Sequence, residues 1–220
     1  MTLIFDYDGT LHNTAHLYGC AFRKSYQQLV KNGYAEKRYY SDKEMSKYLG
    51  MTPGDMWSSF MPQLPKEITE EVSLSIGKEM IEMISDGAAQ LYDGIEESLS
   101  ELRRSGYKMV ILSNCKNDYL KAHRKHFDLD RWFDGYYCAE KYNYIPKEKI
   151  FSYIKNDFDD EQYVLIGDRE SDFKVGLDNN IPVIGCSYGF GTKSELSVCD
   201  LIIDSPHELP KCIKLIPQKP

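Results

Sequence analysis

The sequence predicts an α/β fold: a doubly wound parallel sheet with an inserted all-helical segment. Three observations carry this. From Tyr92 onward, short apolar runs alternate with stretches of helical spacing. Those runs are apolar at consecutive positions, as in strands buried on both faces. Between Asn13 and Ala89, by contrast, only helical spacing is convincing and no strand stands out.

The chain opens with a β-type run, Thr2 to Asp6, and an acidic turn, Asp8-Gly9-Thr10. Leu17, Cys20, Ala21, Lys24 and Leu29 mark a first helix, entered at Asn13 or Thr14 as N-cap. Gly50-Met51-Thr52-Pro53-Gly54 reads as a loop. Ile68, Val72, Ile76 and Met80 recur every four residues, continued by Met83 and Ile84. They give a second helix with Pro65 in its first turn, and the stripe reads as helix core. A helix over Ile95 to Ser105 stops at Gly106. Met109 to Leu112 is the next strand. Helices follow over Asn117 to His126 and Pro146 to Lys155. Gln162 to Ile166 is a strand, Glu170 to Asn179 a helix, and Pro182–Ile184 and Leu201–Ile203 are the last two strands. Five strands are expected in all. The expected division is an α/β core of residues 1–14 and 90–220 with a helical insert of 15–89.

Composition narrows the function classes. The 220 residues are 42% hydrophobic, 13% aromatic and 28% charged. A chain this long buries about 70% of its surface on folding, so its core needs no metal or disulfide staple. Disorder is excluded by the aromatic content. No apolar run approaches the roughly 18 residues of a membrane span. With 34 acidic and 27 basic residues the net charge is −7. Such a surface repels nucleic acid and anionic lipid, but it can still hold a local basic pocket for a small anion. Met1 to Asp6 lacks a basic segment followed by an apolar one, so no signal peptide is expected. The six cysteines form no C-x-x-C pair and read as reduced thiols of a cytoplasmic protein. A monomer or weak homodimer is expected.

In open parallel sheets the ligand lies beyond the carboxyl ends of the strands. Asp6, Asp8, Gly9 and Thr10 follow the first strand; Ser113 and Asn114 follow the second. Gly167, Asp168, Arg169 and Asp172 follow the Gln162–Ile166 strand, and Ser187, Gly189 and Gly191 follow the next. Lys147 opens a helix between two of these strands. Carboxylates gathered at one spot repel, so their pKa values split or a cation holds them ionised. All-oxygen ligands favour a hard cation such as Mg²⁺. A lysine and a hydroxyl beside them supply what a phosphoryl group needs. One carboxylate can attack phosphorus, and a second can carry the proton of the leaving oxygen. The residues alone therefore point to Mg²⁺-dependent phosphoryl transfer.

Four segments then carry a resemblance. Phe5-Asp6-Tyr7-Asp8-Gly9-Thr10-Leu11, Ile111-Leu112-Ser113-Asn114, Ile145-Pro146-Lys147 and Ile166-Gly167-Asp168-Arg169-Glu170-Ser171-Asp172 resemble, in order, the four motifs of the haloacid dehalogenase-like hydrolase superfamily. The helical insert is like its C1 cap. Ser187-Tyr188-Gly189-Phe190-Gly191 with Glu195-Leu196 is similar to phosphoglycolate phosphatase-type members. The resemblance implies Asp6 as nucleophile and Asp8 as general acid/base. It implies phosphoryl binding by Ser113, Asn114, Lys147, Gly9 and Thr10, with backbone N–H groups of Tyr7 to Gly9 as further donors. It implies Mg²⁺ held by the Asp6 side chain, the Asp8 carbonyl and Asp168, with Asp172 supporting the metal or orienting Lys147. An acid at position 8 points to phosphate ester hydrolysis or phosphomutase chemistry. Tyr7 and His12 depart from the aliphatic residues usual there, and either shape the pocket or pack at the cap junction.

Each segment alone has a plain reading. Asp-Gly after a strand is often only a turn, a serine there an N-cap, and a helical lysine a solvated one. All four in order make coincidence a poor account. Gly189-x-Gly191 lacks the third glycine and the acidic partner of a dinucleotide loop. His12, His16, His123, His126 and His207 show no ligand grouping. The expected activity is hydrolysis of a small phosphate monoester through an aspartyl-phosphate. A phosphomutase of the β-phosphoglucomutase kind and a non-catalytic phosphate sensor or phospho-acceptor remain open. The Gly50–Gly54 loop is expected to meet the substrate. Cys115, two residues after Ser113, is a position where oxidation would inhibit.

Overall fold

The structure, a computed structural model, describes residues 1–217. Its elements run β1 (Thr2–Phe5), α1 (Thr14–Lys31), α2 (Asp42–Ser46), α3 (Pro53–Phe60), α4 (Lys66–Ser85), α5 (Ile95–Arg104), β2 (Lys108–Ser113), α6 (Asn117–His126), β3 (Gly135–Cys138), α7 (Lys147–Phe158), β4 (Tyr163–Gly167), α8 (Glu170–Asp178), β5 (Val183–Cys186), α9 (Lys193–Leu196), β6 (Leu201–Ile203) and α10 (Leu209–Leu215). The six strands form one sheet, all parallel, in the order β3-β2-β1-β4-β5-β6. The order reverses at β1, so the crevice beyond β1 and β4 is the topological switch point.

The apolar runs explain the layers. Leu3, Phe5, Met109, Ile111, Val164, Ile166 and Ile184 pack on one face of the sheet. Ile4, Val110, Leu112, Leu165 and Val183 pack on the other, with Ile150, Phe151 and Ile154 of α7 and Phe173 of α8. Successive side chains of a strand point to opposite faces, and both faces here are covered. Each such side chain contributes roughly 1.5–3 kcal/mol on full burial.

The sequence expectation missed β3. It is a four-residue edge strand, bonded only to β2, that starts at Gly135 with Tyr136 half-buried. A glycine and a half-exposed face leave no apolar run to read. It also missed two short helices of the insert. Ser41 caps α2 in a reciprocal box with Glu44. Thr52 caps α3 by accepting from the Asp55 N–H, with Pro53 at the first helical position. The expected loop therefore ends at Thr52, and Pro53 and Gly54 are helical. Asn13 precedes α1 as N-cap but makes no side-chain capping bond.

Helices α1 to α4 all fall between β1 and α5. They gather around an aromatic cluster in which Phe22 meets Tyr26, Tyr40, Trp57 and Phe60 at ring-centroid distances of 5.4–6.3 Å. Helix α4 packs against both α1 and the core helix α6, which places the insert over the carboxyl ends of the strands. No described helix is long and apolar enough to cross a membrane. All six cysteines are unpaired.

Candidate active site

Asp6 is the residue after β1, and its N–H donates to the Ile166 carbonyl at 2.8 Å. This bond ties the end of β1 to β4, whose own end leads to Asp168. Lys147 is the first residue of α7, behind Pro146 as N-cap. Its Nζ donates to Asp6 Oδ1 at 2.5 Å and to Asp172 Oδ1 at 2.6 Å. Asp172 lies in the first turn of α8, and its Oδ2 accepts from the N–H groups of Arg169 at 3.0 Å and Asp168 at 3.3 Å. It therefore caps its helix and holds Lys147 at once. Ser113 ends β2, and its Oγ accepts from the Cys115 N–H at 3.2 Å.

Asp6, Asp168 and Asp172 can bring one carboxylate oxygen each within 4.8 Å of one another, and all three are buried. Burial, and then the Asp172 charge, push Asp6 up to about 7 despite Lys147. Burial and the charges of Asp6 and Asp172 push Asp168 well above the carboxylate range. Burial alone would depress Lys147, but Asp172 and Asp6 more than offset it and hold the ammonium above its ordinary range. One lysine against three dry carboxylates leaves the cluster short of positive charge. The all-oxygen donor set fits a hard divalent cation.

Asp8 is held differently. Its Oδ1 accepts from Thr14 Oγ1 at 2.6 Å and Tyr119 Oη at 2.8 Å, and lies 3.1 Å from His12 Nδ1. No hydrogen bond from a described residue reaches Oδ2. Burial would raise this carboxyl, but the hydrogen bonds of His12 and Thr14 hold it below the usual range. The His12 ring meets His123 at 4.3 Å and Tyr7 at 5.7 Å between centroids. The Tyr7 hydroxyl, His12 Nε2 and both His123 nitrogens are buried without a hydrogen-bond partner among the described residues. Burial, and then His12, drive His123 down to about 2, so it is neutral.

Three expected phosphoryl ligands have protein partners here. The Thr10 hydroxyl donates to Asp168 Oδ1 at 3.2 Å and is wholly buried. The Gly9 N–H donates to the His12 carbonyl at 3.0 Å. Gly9 serves by its size and its φ of +95°, since a Cβ there would overlap the Asp168 carboxylate. The Asn114 amide donates to the Gly50 carbonyl at 3.3 Å and ties the core to the insert. In each case the donor meets an acceptor of the protein itself. Burial pushes the Cys115 thiol well above its ordinary range, which disfavours the reactive thiolate.

The sequence reading missed Tyr119 and His123 as neighbours of Asp8. Their i, i+4 spacing with Phe127 marks one face of α6, but nothing local says what that face meets. Arg169 also reaches across the site: its Nη1 donates to the Leu49 carbonyl at 2.6 Å and its Nε to Glu195 at 3.0 Å. Asp6, Asp8, Ser113, Asn114, Lys147 and Asp172 line one cavity of about 170 Å³, together with Gly50, Met51 and Pro53 of the insert.

The sequence matches the haloacid dehalogenase-like hydrolases over residues 3–186. The chain belongs to that family. A predicted phosphatase from Clostridium acetobutylicum has the same fold as this hydrolase, with a TM-score of 0.82 at 25% identity, over 97% of this chain and 98% of that one. The pyrophosphatase PpaX of Bacillus mycoides is 20% identical over 215 residues, 94% of each chain. A 5'-nucleotidase of Pseudomonas aeruginosa is 28% identical over 110 residues, which are 49% of this chain and 50% of that protein. The hydrolase thus aligns with about half the length of that relative.

Proposed function

We propose that this hydrolase is a Mg²⁺-dependent phosphatase of small phosphate monoesters that works through phosphoryl transfer to Asp6. One observation carries the reading: Asp6 lies in a buried cluster with Lys147, Asp168 and Asp172 at the switch point, in the wall of a cavity that Asp8 and Ser113 also line. The names of the relatives, a pyrophosphatase and a 5'-nucleotidase, support phosphate chemistry.

Asp6, Asp168 and the Asp8 carbonyl would hold Mg²⁺, with Asp172 behind them. The ion supplies charge neutralisation for the carboxylates and for the phosphoryl oxygens. An Asp6 oxygen attacks phosphorus as the ester P–O bond breaks. Asp8, ionised at rest, takes up at Oδ2 the proton that the monoester brings in its monoanion form and passes it to the leaving oxygen. Water then attacks phosphorus and returns a proton to Asp8, and the Asp6–phosphorus bond breaks to release phosphate. Ser113 and Lys147 hold the phosphoryl oxygens through both steps. Residues 15–89 act as a cap over a core of 1–14 and 90–220, and the unpaired cysteines suit the cytoplasm.

The test is phosphate release from a panel of small esters, with Mg²⁺ and with EDTA, for the wild type and Asp6→Asn. Metal-dependent turnover that disappears in Asp6→Asn is expected. A single stable phosphoryl group retained on the chain would replace this reading with a phospho-acceptor.

A further inference from the structure

The cavity beside Asp6 has two unlike walls. On the core side stand the carboxylates and every charged group that lines it. On the insert side stand Tyr18, Tyr48, Met56, Ile76 and Met80, and none of the insert residues lining the cavity is charged. Two of the three core-side cations are committed, and Lys116 is the one left without an ion pair among the described residues. Lys147 is held by Asp6 and Asp172, and Arg169 by Glu195 and the Leu49 carbonyl. Lys116 is the N-cap residue of α6, three residues after Ser113.

Gly77 sets the depth of the insert wall. It sits inside the 20-residue helix α4, where glycine costs about 1 kcal/mol against alanine. Neither a positive φ nor close packing requires it: a Cβ built there meets nothing within 4 Å. It lines the cavity between Ile76 and Met80. The missing side chain leaves open space at this point of the wall.

From these two observations we infer that the leaving group of the substrate is an uncharged apolar or aromatic alcohol, received by the insert wall in the space over Gly77. This rests on the phosphatase reading for the phosphoryl end alone. A carboxylate or second phosphate in that place would lose its water to aromatic and thioether surface, with no charged group on the insert wall to meet it. An apolar group gains by the same transfer.

Binding and turnover test this separately. Benzylphosphonate and phosphonoacetate differ by a phenyl ring exchanged for a carboxylate, and neither is an ester that can be hydrolysed. With Mg²⁺ present, calorimetry on the wild type is expected to show benzylphosphonate binding at least about tenfold more tightly than phosphonoacetate. Gly77→Leu is expected to cut the preference for benzylphosphonate over methylphosphonate by about tenfold. Its melting temperature is expected to stay level or rise, because the helix gains a better former. Tighter binding of phosphonoacetate, lost in Lys116→Met, would overturn the inference and put a carboxylate site on the core side. So would an unchanged benzyl-to-methyl preference in folded Gly77→Leu. If that variant does not fold, the wild-type ranking decides alone. The expected ranking without phosphate release from any ester would sink the phosphatase reading and leave this inference standing.

Discussion

Tyr119 donates its hydroxyl proton to Asp8 at 2.8 Å across 111 residues of sequence. With Thr14 and His12 it converges on a single oxygen, Oδ1, and leaves Oδ2 without a donor. The carboxylate is thus fixed by one atom and presented by the other. In the proposed mechanism, where Asp8 carries the proton, this fixes the group without blocking it.

Removing one of these donors is expected to raise the pKa of Asp8. Thr14 donates to the ionised carboxylate, so its loss favours the proton. A hydrogen bond of about 1.4 kcal/mol corresponds to one unit. Carboxylate ¹³C titration of Thr14→Val should show Asp8 releasing its proton about one unit later than in the wild type. An unchanged titration would mean that Thr14 does not hold the charge.

Thr10 acts on Asp168, and its loss should read out there. Thr10→Val is expected to weaken Mg²⁺ binding by about tenfold, as loss of a metal ligand's hydrogen-bond partner does. At saturating Mg²⁺, inhibition by inorganic phosphate should stay within about twofold. Calorimetry and inhibition assays separate the two, and a selective loss of phosphate affinity would restore Thr10 as a phosphoryl ligand.

The buried His123 should make the protein acid-sensitive. Its folded pKa of about 2 lies below the unfolded 6.5, so the unfolded chain binds the extra proton as pH falls. Stability from this group is full above about pH 6.5 and falls by up to about 1.4 kcal/mol per unit below it. Asp6 and Asp168, pushed up by burial, act with the opposite sign over the same range. The difference between wild type and His123→Phe isolates the histidine. Urea unfolding at pH 7.5 and 5.5 is expected to favour the variant by about 1 kcal/mol more at the lower pH.

Mg²⁺ should stabilise the fold by relieving the carboxylate cluster. At about 100 times its Kd a ligand adds about 2.7 kcal/mol, or roughly 5–10 °C for a chain of this size. Asp168→Asn is expected to lose most of this shift. Melting curves of both proteins that do not differ between Mg²⁺ and EDTA would exclude a metal at this cluster.

Much of the architecture was legible because of where it is buried. Strands covered on both faces are apolar at consecutive positions, as in residues 3–5 of β1, 109–112 of β2, 164–166 of β4 and 183–184 of β5. The edge strand β3 escapes because half of it faces outward and glycine opens it. Helix α2 carried a readable capping box at Ser41 and Glu44, but five residues are too few for periodicity to show.

The positions of Asp6, Ser113 and Asp168 follow from the sequence alone, because a residue after a parallel strand has nowhere to go but the carboxyl edge. The order of the motifs, and so the family, is likewise a property of the sequence. Which atom each donor meets was decided only in three dimensions. Thr10 finds Asp168, Asn114 finds the Gly50 carbonyl, and Tyr119 finds Asp8, each through space rather than along the chain. The reason is physical: burial and strand position are written in the hydrophobic pattern of a segment, whereas a hydrogen bond goes to whichever acceptor packing brings within about 3 Å, and packing belongs to the whole chain.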